Sequence, residues 1–293
     1  MLQINKNSLS FILLFLLGII WGSSFLFIKF TVYSLQPLTA VLLRMAVASL
    51  CLLLYLKINK IVLPLKKKDI INYFFIAILG NVFPFFLVSW AEVTINTNLT
   101  GIIMGLMPIT TVFLAYFFLK EEKINIYTFL GIILGFIGLF FLLDFLVKKN
   151  NDFQSQIAVI IATISFAIAT IYIRKIPNFN PLYVLSGSTY FAFLILIFLV
   201  VIFDDPLNSS PTNQSIFFGI ILGILNTAIG GLIFFKLIKL SGAAFTSTVN
   251  FITPFVAIIW GFIFLNESLN SNQIIGFVFI LSGIYLVKRS TDT

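Results

Sequence analysis

The sequence predicts an all-α polytopic membrane protein with ten transmembrane helices, built as an inverted repeat of five plus five helices. The first observation behind this prediction is composition: 60% of the 293 residues are hydrophobic and 10% are charged, whereas soluble domains carry about 25% charged residues. The 36 Phe residues alone outnumber the 18 basic and 10 acidic residues taken together. Because such a chain cannot cover an aqueous surface with polar side chains, we expect it to lie in a lipid bilayer. The other two observations are ten long apolar runs and an internal repeat.

Metal-dependent and histidine-dependent chemistry is disfavoured by the same composition. The chain has no His and a single Cys, Cys51, which lies in an apolar stretch. Most transition-metal sites, His-based catalysis and an internal disulfide therefore lack the residues that would form them. We expect no metal ion, no cofactor and no catalytic residue.

Ten apolar runs are long enough to cross a hydrocarbon layer of about 30 Å as helices, which takes about 20 residues each. The first run is apolar like a signal peptide, but it lacks a small-residue cleavage site and is expected to be retained. The connections between runs are too short to hold a further domain. The approximate limits of the runs are 9–30, 36–57, 69–92, 97–119, 126–147, 154–174, 181–203, 214–237, 243–265 and 272–288.

The distribution of positive charge predicts which side of the membrane both termini face. Fourteen Lys and Arg residues fall in the segments on the side of the termini, and three fall on the other side, while Arg44 lies inside the second run. The positive-inside rule then places both termini in the cytoplasm, in a bacterial-type inner membrane.

An internal repeat of roughly 145 residues divides the chain into two halves, 9–147 and 154–288. Because each half carries five helices, the second copy enters the membrane in the opposite orientation. Three blocks of the first half align in order with blocks of the second: Trp21 and Gly22 with Phe166 and Ala167, Pro108 and Glu121 with Pro254 and Glu267, and Gly131 and Gly138 with Gly276 and Gly283.

Inverted repeats are the architecture through which many secondary transporters alternate access to a site near the bilayer midplane. Gly and Pro residues inside helices supply the kinks and close contacts that such moving helices tolerate. Since both residue types are common in membrane helices, a general structural role is the alternative. The candidate hinge or structural residues are Gly22, Pro84, Pro108, Gly230, Gly231 and Pro254.

Five segments of the sequence carry a resemblance to a known family. They are WGSSFLFIK from Trp21 to Lys29, LLRMAVASL around Arg44, SWAEVTINTNLTGIIMGLMPI from Ser89 to Ile109, FFLKEEKI after the fourth run, and TPFVAIIWGFIFLNESL from Thr253 to Leu269. In this order, within two repeats of five spans, they resemble the drug/metabolite transporter superfamily in its ten-helix EamA form. The resemblance implies a secondary carrier, usually an exporter of amino acids, other small metabolites or toxic amphiphilic compounds.

Three charged residues of the first half are candidates for charge selection or ion coupling. Arg44 lies about 10 Å inside the second run, where insertion of a charge is costly. It either snorkels or caps carbonyl groups, or it serves as counter-charge to an anionic group or to Glu92. Glu92 has no acidic counterpart in the second half and is either exposed at the interface or a proton or cation site. Lys29 either snorkels to the interface or joins these residues in a mixed-charge external vestibule.

Polar residues near the predicted midplane are candidates for substrate binding. At an offset of 145 residues Asn81 falls on Asn226, which places one amide from each half near the pseudo-twofold axis. Hydrogen bonding between helices is the alternative role for the asparagines. Trp21 lies too deep for an interfacial belt, so it either packs or offers its ring to a cationic or flat substrate. The candidates are Trp21, Ser24, Asn81, Asn226, Thr227 and Asn250.

Glu121 and Glu267 occupy equivalent turns on opposite sides of the membrane. We expect each of them to cap or bridge the turn that it occupies, as part of the scaffold.

Together these features predict a gradient-driven secondary transporter that exports its substrate. An uptake carrier of the same fold, a membrane-embedded lipid-modifying enzyme and a channel or accessory subunit are the alternatives. The sequence contains no Gly-rich phosphate-binding loop, so ATP coupling within this chain is excluded. The expected partners are a small-molecule substrate and the lipid bilayer, with protons as the candidate coupling ion. We expect no nucleic acid partner, and a homodimer is among the open oligomeric states.

Overall fold

The computed structural model describes residues 6–118, 126–142, 151–205, 210–247 and 249–291. Within these ranges the backbone forms helices and turns and no β-strand, so the predicted all-helical class is confirmed. The helices are α1 Lys6–Val32, α2 Pro37–Ile58, α3 Lys67–Ala77, α4 Phe83–Ala91, α5 Thr97–Met104, α6 Met107–Phe118, α7 Ile126–Leu142, α8 Asn151–Arg174, α9 Pro181–Phe203, α10 Asn213–Ile221, α11 Gly230–Ser247, α12 Val249–Leu265 and α13 Ser271–Thr291.

Seven helical segments among the described residues are long and apolar enough to cross a membrane. They coincide with the first four predicted runs and with the sixth to eighth runs. Shorter apolar helices lie within the fifth, ninth and tenth runs, at Phe129–Gly138, Ile252–Leu265 and Ser271–Gly283. The chain is therefore a polytopic membrane protein.

One predicted boundary is wrong. The sequence predicts that the eighth run ends near residue 237 and that the next begins near 243, but α11 continues to Ser247. The segment from residue 238 to 247 contains no Pro to interrupt the backbone hydrogen bonds, and it includes Ala243 and Ala244. Alanine has the highest helix propensity, so the helix extends through the expected turn.

Two π-helical segments interrupt the spans near their centres. The first, Ile78–Val82, joins α3 to α4, and Pro84 follows it in the first turn of α4. Because Pro lacks an N–H and clashes with the carbonyl four residues earlier, the wider turn accommodates it. The second, Leu222–Ile229, joins α10 to α11, and there the Thr227 hydroxyl donates to the Leu222 carbonyl at 3.0 Å.

The other two prolines among the hinge candidates also lie in helices. Pro108 is the second residue of α6, a position in the first turn where the missing N–H has no intrahelical partner to lose. Pro254 lies inside α12.

The packing of the helices follows the repeat. Helix α1 packs on α12, and its second-half equivalent α8 packs on α6. Likewise α2 packs on the second π-helical segment, while its equivalent α9 packs on α3 and the first π-helical segment. The pairs α2 with α9 and α7 with α13 each join two equivalent helices. This is the pattern expected of two structurally similar halves.

The matched glycines of the repeat face each other where α7 meets α13. A Cβ atom at Gly138 would lie 2.7 Å from the Gly276 carbonyl oxygen. A Cβ atom at Gly283 would lie 2.6 Å from the Gly131 carbonyl oxygen. The two backbones therefore approach more closely than any side chain allows, as small residues permit in membrane helix pairs.

We expect Gly138→Ala to lower the melting temperature of the purified protein. The added methyl group would overlap the backbone of α13, and overpacking costs about 1–3 kcal/mol. Gly80→Ala is the matched control, because a Cβ atom there would lie 3.4 Å from the Ala169 Cβ, an ordinary contact. Equal melting temperatures for the two variants would contradict the close approach of α7 and α13.

Candidate functional site

A cavity of about 170 Å³ lies between the two halves of the chain. Helices α1 to α6, α8, α9, α11 and α12 and both π-helical segments contribute to its wall. Arg44 is the only charged side chain among the described residues that line it. The structure brings the polar residues singled out in the sequence together here, since the lining includes Trp21, Ser24, Arg44, Asn81, Asn226, Thr227 and Asn250.

Arg44 is held by residues from two other elements. Its Nε–H donates to the Thr227 hydroxyl oxygen at 2.7 Å. Its guanidinium carbon lies 3.7 Å from the centroid of the Phe85 ring, a distance typical of a cation–π contact. The Thr227 hydroxyl donates in turn to the Leu222 carbonyl, so its oxygen is left to accept from Arg44. A chain of contacts thus fixes the orientation of the guanidinium.

Trp21 and Asn226 join α1 to the second π-helical segment by reciprocal hydrogen bonds. The Trp21 Nε1–H donates to the Asn226 backbone oxygen at 3.1 Å, and the Asn226 side-chain amide donates to the Ile20 backbone oxygen. The Trp21 ring also packs on Phe234, with ring centroids 4.9 Å apart. Both residues therefore have a structural role, and both still face the cavity.

Gly230 and Gly231 allow this arrangement. The Trp21 Nε1 atom lies 2.8 Å from the position of a Cβ atom at Gly230, so a larger residue would displace the indole. Gly231 lines the cavity itself. Gly22, on α1, lies outside the lining and against Val256 of α12.

The hydrogen bonds of the other polar lining residues differ. The Ser24 hydroxyl donates to the Trp21 carbonyl of its own helix at 2.6 Å. By contrast, no hydrogen bond joins the side chains of Asn81 or Thr253 to another residue within the described ranges. Asn81 lies in the first π-helical segment and Asn226 in the second. The two asparagines paired by the repeat thus occupy equivalent π-helical segments. The Asn226 amide donates to the Ile20 backbone oxygen of α1, whereas the Asn81 amide forms no hydrogen bond with a described residue.

Lys29 and Glu92 lie outside the cavity lining. Lys29 Nζ donates to the backbone oxygens of Glu92 and Ile95 at 2.7 and 3.0 Å, so it holds the C-terminal end of α4. The Glu92 side chain is fully buried, and its carboxylate oxygens accept no hydrogen bond from any described residue. Of the two alternatives for Glu92, exposure at the interface is therefore wrong. No ion pair joins Glu92 to Arg44 within the described ranges.

Two carboxylates of the second half cap helices of the first half. Asp204 accepts hydrogen bonds from the backbone N–H and the hydroxyl of Thr39, at 2.8 and 2.7 Å, in the first turn of α2. Glu267 accepts from the backbone N–H groups of Thr97 and Asn98, at 2.9 and 3.0 Å, and from the Thr97 hydroxyl at 2.8 Å. Neither α2 nor α5 receives a hydrogen bond from its own N-cap side chain. The second half thus satisfies N–H groups that these helices leave free.

These caps correct one expectation about the scaffold. Glu267 does cap a helix, but the helix belongs to the other half of the chain, whereas the sequence predicts that Glu267 acts within its own turn. Glu121 lies outside the described residues. We call the end of the bundle that carries both caps, together with segments 33–36, 92–96 and 266–270, the distal end.

The sequence patterns did not indicate several of the lining residues. The aromatic wall includes Phe85, Phe166 and Phe234. The sequence contains one signal for Phe166, because the repeat aligns it with Trp21. In the structure both residues line the cavity. Phe85 and Phe234 carried no such signal among the 36 Phe residues of the chain.

A bundle of apolar helices around a cavity lined from both halves defines a polytopic membrane protein with an internal, mainly apolar pocket that carries a few polar side chains. The chain belongs to the EamA-like transporter family, whose model matches residues 8–144 and 154–289. This confirms the resemblance to the EamA form of the drug/metabolite transporter superfamily with two EamA segments, and the chain is a transporter of that family.

Two relatives and one solved structure extend over nearly the whole chain. The "Uncharacterized transporter YoaV" of Bacillus subtilis (strain 168) is 23% identical over 276 residues, which cover 92% of each chain. An "Uncharacterized transporter" of Archaeoglobus fulgidus is 27% identical over 272 residues, covering 92% of this chain and 95% of the relative. A crystal structure matches with a TM-score of 0.71 at 13% identity and covers 98% of this chain and 99% of its own. The last likeness shows the fold alone.

Proposed function

We propose that the protein is a secondary active transporter that exports small metabolites, amino acids or amphiphilic compounds across the inner membrane by alternating access. The observation that carries this proposal is the cavity whose wall is built from both halves. A site at the junction of two similar halves can open to either side when the halves exchange conformations. Membership of the EamA-like transporter family supports the same conclusion.

The contacts at the distal end support an alternating mechanism. Asp204 and Glu267 tie the second half to α2 and α5 of the first half at that end. The bias of 14 basic residues to three favours a cytoplasmic position for both termini, which makes the distal end external. In this interpretation the external side of the site is closed, and opening it requires the caps to separate.

An enzymatic role receives no support from the cavity. Its described lining contains no Asp or Glu, so it offers no carboxylate pair for metal-assisted or acid–base chemistry. Uptake remains the alternative direction of transport, because the same geometry would serve it.

The function is tested by comparing the excreted metabolites of cells that overproduce the protein with those of matched cells that do not, by mass spectrometry. Enrichment of one compound class outside the overproducing cells supports export. Depletion of a compound from the medium by the overproducing cells, confirmed by uptake of the labelled compound, would replace export by import. Absence of any solute movement, both in cells and in proteoliposomes that contain folded protein, would overturn the transporter proposal.

We expect Trp21→Ala to reduce export by about two- to tenfold at matched membrane levels, because an aromatic contact contributes about 0.5–1.5 kcal/mol. Trp21→Phe is the matched variant, since it keeps an aromatic ring that can pack against Phe234 while it loses the hydrogen bond to Asn226 and the second ring of the indole. Export should therefore be closer to wild type in Trp21→Phe. If both variants export at the wild-type rate, the Trp21 ring does not contact the substrate.

A further inference from the structure

The cavity contains a positive charge, Arg44, that forms no ion pair with any carboxylate among the described residues, and the buried carboxylate of Glu92 attracts it only from outside the cavity lining. Arg44 is 6% exposed, and its Nε–H is used by Thr227. No hydrogen bond or ion pair joins its two terminal amino groups to any residue within the described ranges. A buried cation is costly unless an anion or several acceptors compensate its lost hydration. The described side chains of the cavity wall supply no negative group that could compensate this charge.

The guanidinium is oriented for such a group. Thr227 fixes the Nε edge, and Phe85 lies against the guanidinium carbon. The terminal amino groups remain, and they form a planar fork that matches two oxygens of one carboxylate or sulfonate. Arg44 thus has the fixed geometry of an anion receptor rather than that of a mobile surface charge.

The remaining wall fits an apolar body of limited size. The aromatic residues Phe85, Phe166 and Phe234 border the cavity, and its described lining contains no acidic side chain. Its volume of about 170 Å³ is close to that of an engineered cavity, about 150 Å³, that binds benzene. Asn81 adds an amide that no described residue engages and that can hydrogen-bond a polar substituent.

We infer that this cavity binds a small amphipathic anion, with a carboxylate or sulfonate head on Arg44 and a body of about one aromatic ring against the Phe residues. This inference rests on the proposed function, because it names the substrate class of the same site. A cationic substrate would be repelled by Arg44, because the described wall contains no negative side chain to offset that charge. The ammonium group of a zwitterion would meet the same difficulty.

The test compares three probes that share a benzyl group and differ in charge: phenylmethanesulfonate, phenylalanine and benzyltrimethylammonium. Their binding to the purified full-length protein in lipid nanodiscs is measured by isothermal titration calorimetry. We expect saturable binding of phenylmethanesulfonate, with weaker or no binding of the other two. In Arg44→Ala the affinity for phenylmethanesulfonate should fall about ten- to a hundredfold, as expected for lost charge-assisted hydrogen bonds.

Lys57→Ala is the matched control, because it removes a positive charge from the same helix at an exposed position. It should leave the affinity for phenylmethanesulfonate unchanged. The ranking of the three probes on the wild type requires no variant, so the inference remains testable if Arg44→Ala does not fold. Equal or tighter binding of phenylalanine or benzyltrimethylammonium would overturn it, as would unchanged affinity in folded Arg44→Ala.

Solute exchange in proteoliposomes separates this inference from the proposed function. If the protein exchanges other solutes but binds none of the three probes, the inferred anionic substrate class is wrong and the proposed secondary active transport still stands. Binding of phenylmethanesulfonate through Arg44 without exchange of any solute would support the anion site and overturn the proposed secondary active transport.

Discussion

Glu267→Ala is expected to lower the free energy of unfolding by about 2–5 kcal/mol, the largest loss of stability that we expect from a single substitution. The Glu267 carboxylate accepts three hydrogen bonds, two from backbone N–H groups in the first turn of α5 and one from the Thr97 hydroxyl. Thr97 and Asn98 are buried, so water does not replace the lost acceptor. Each buried donor left without a partner costs about 1–3 kcal/mol. Thermal or denaturant unfolding in detergent measures the change.

Glu267→Gln provides the control for this prediction. It keeps one side-chain oxygen that can accept from the Thr97 N–H, but it presents an amide nitrogen to the remaining donors. Its stability should therefore lie between those of the wild type and Glu267→Ala. If Glu267→Ala is as stable as the wild type, the carboxylate does not cap α5 in the membrane.

Glu92→Gln is expected to abolish accumulation of substrate driven by a proton gradient while leaving substrate exchange in place. Glu92 is fully buried, and its carboxylate oxygens have no hydrogen-bond partner among the described residues. A carboxylate can change its charge during the transport cycle, whereas a glutamine side chain cannot. Because Glu92 does not line the cavity, its replacement should affect coupling more than binding. Proteoliposomes with an imposed pH gradient measure accumulation, and counterflow without a gradient measures exchange.

Asp205→Asn is the matched control, since it removes an acidic charge from an exposed position at the same end of the bundle. It should retain both activities. Gradient-driven accumulation by Glu92→Gln at the wild-type level would exclude Glu92 as the coupling residue. Loss of exchange as well as accumulation would assign Glu92 to the substrate pathway or to folding instead.

The helical class, the approximate positions of the spans and the cluster of inward-facing polar groups were predictable from the sequence. Apolar runs of sufficient length specify membrane helices, because the bilayer forces the backbone to satisfy its own hydrogen bonds. Polar side chains in such helices avoid lipid, which is why Arg44, Asn81 and Thr227 meet in one cavity. The end of α11 was missed because Ala and Gly near Ala243 permit both a turn and a helix.

The aromatic wall and the caps were not predictable. Composition cannot distinguish a Phe residue that faces lipid from one that faces the cavity, since both surroundings are apolar. Phe136 and Phe166 illustrate this, because the first is exposed on the bundle surface and the second lines the cavity. The contact between Glu267 and Thr97 joins residues 170 positions apart. It depends on how the two halves dock, which no local pattern encodes.

The paired glycines of α7 and α13 make the contact between the two halves symmetric. Gly138 meets Gly276 while Gly283 meets Gly131, and the repeat makes these two contacts equivalent. Reciprocal contacts of this kind have the form of an isologous interface, in which one surface is complementary to itself about a twofold axis. A five-helix unit on its own would carry half of this interface. Two separate copies inserted in opposite orientations would complete it, so the contact that joins the two halves of this chain has the form of a contact between two identical subunits.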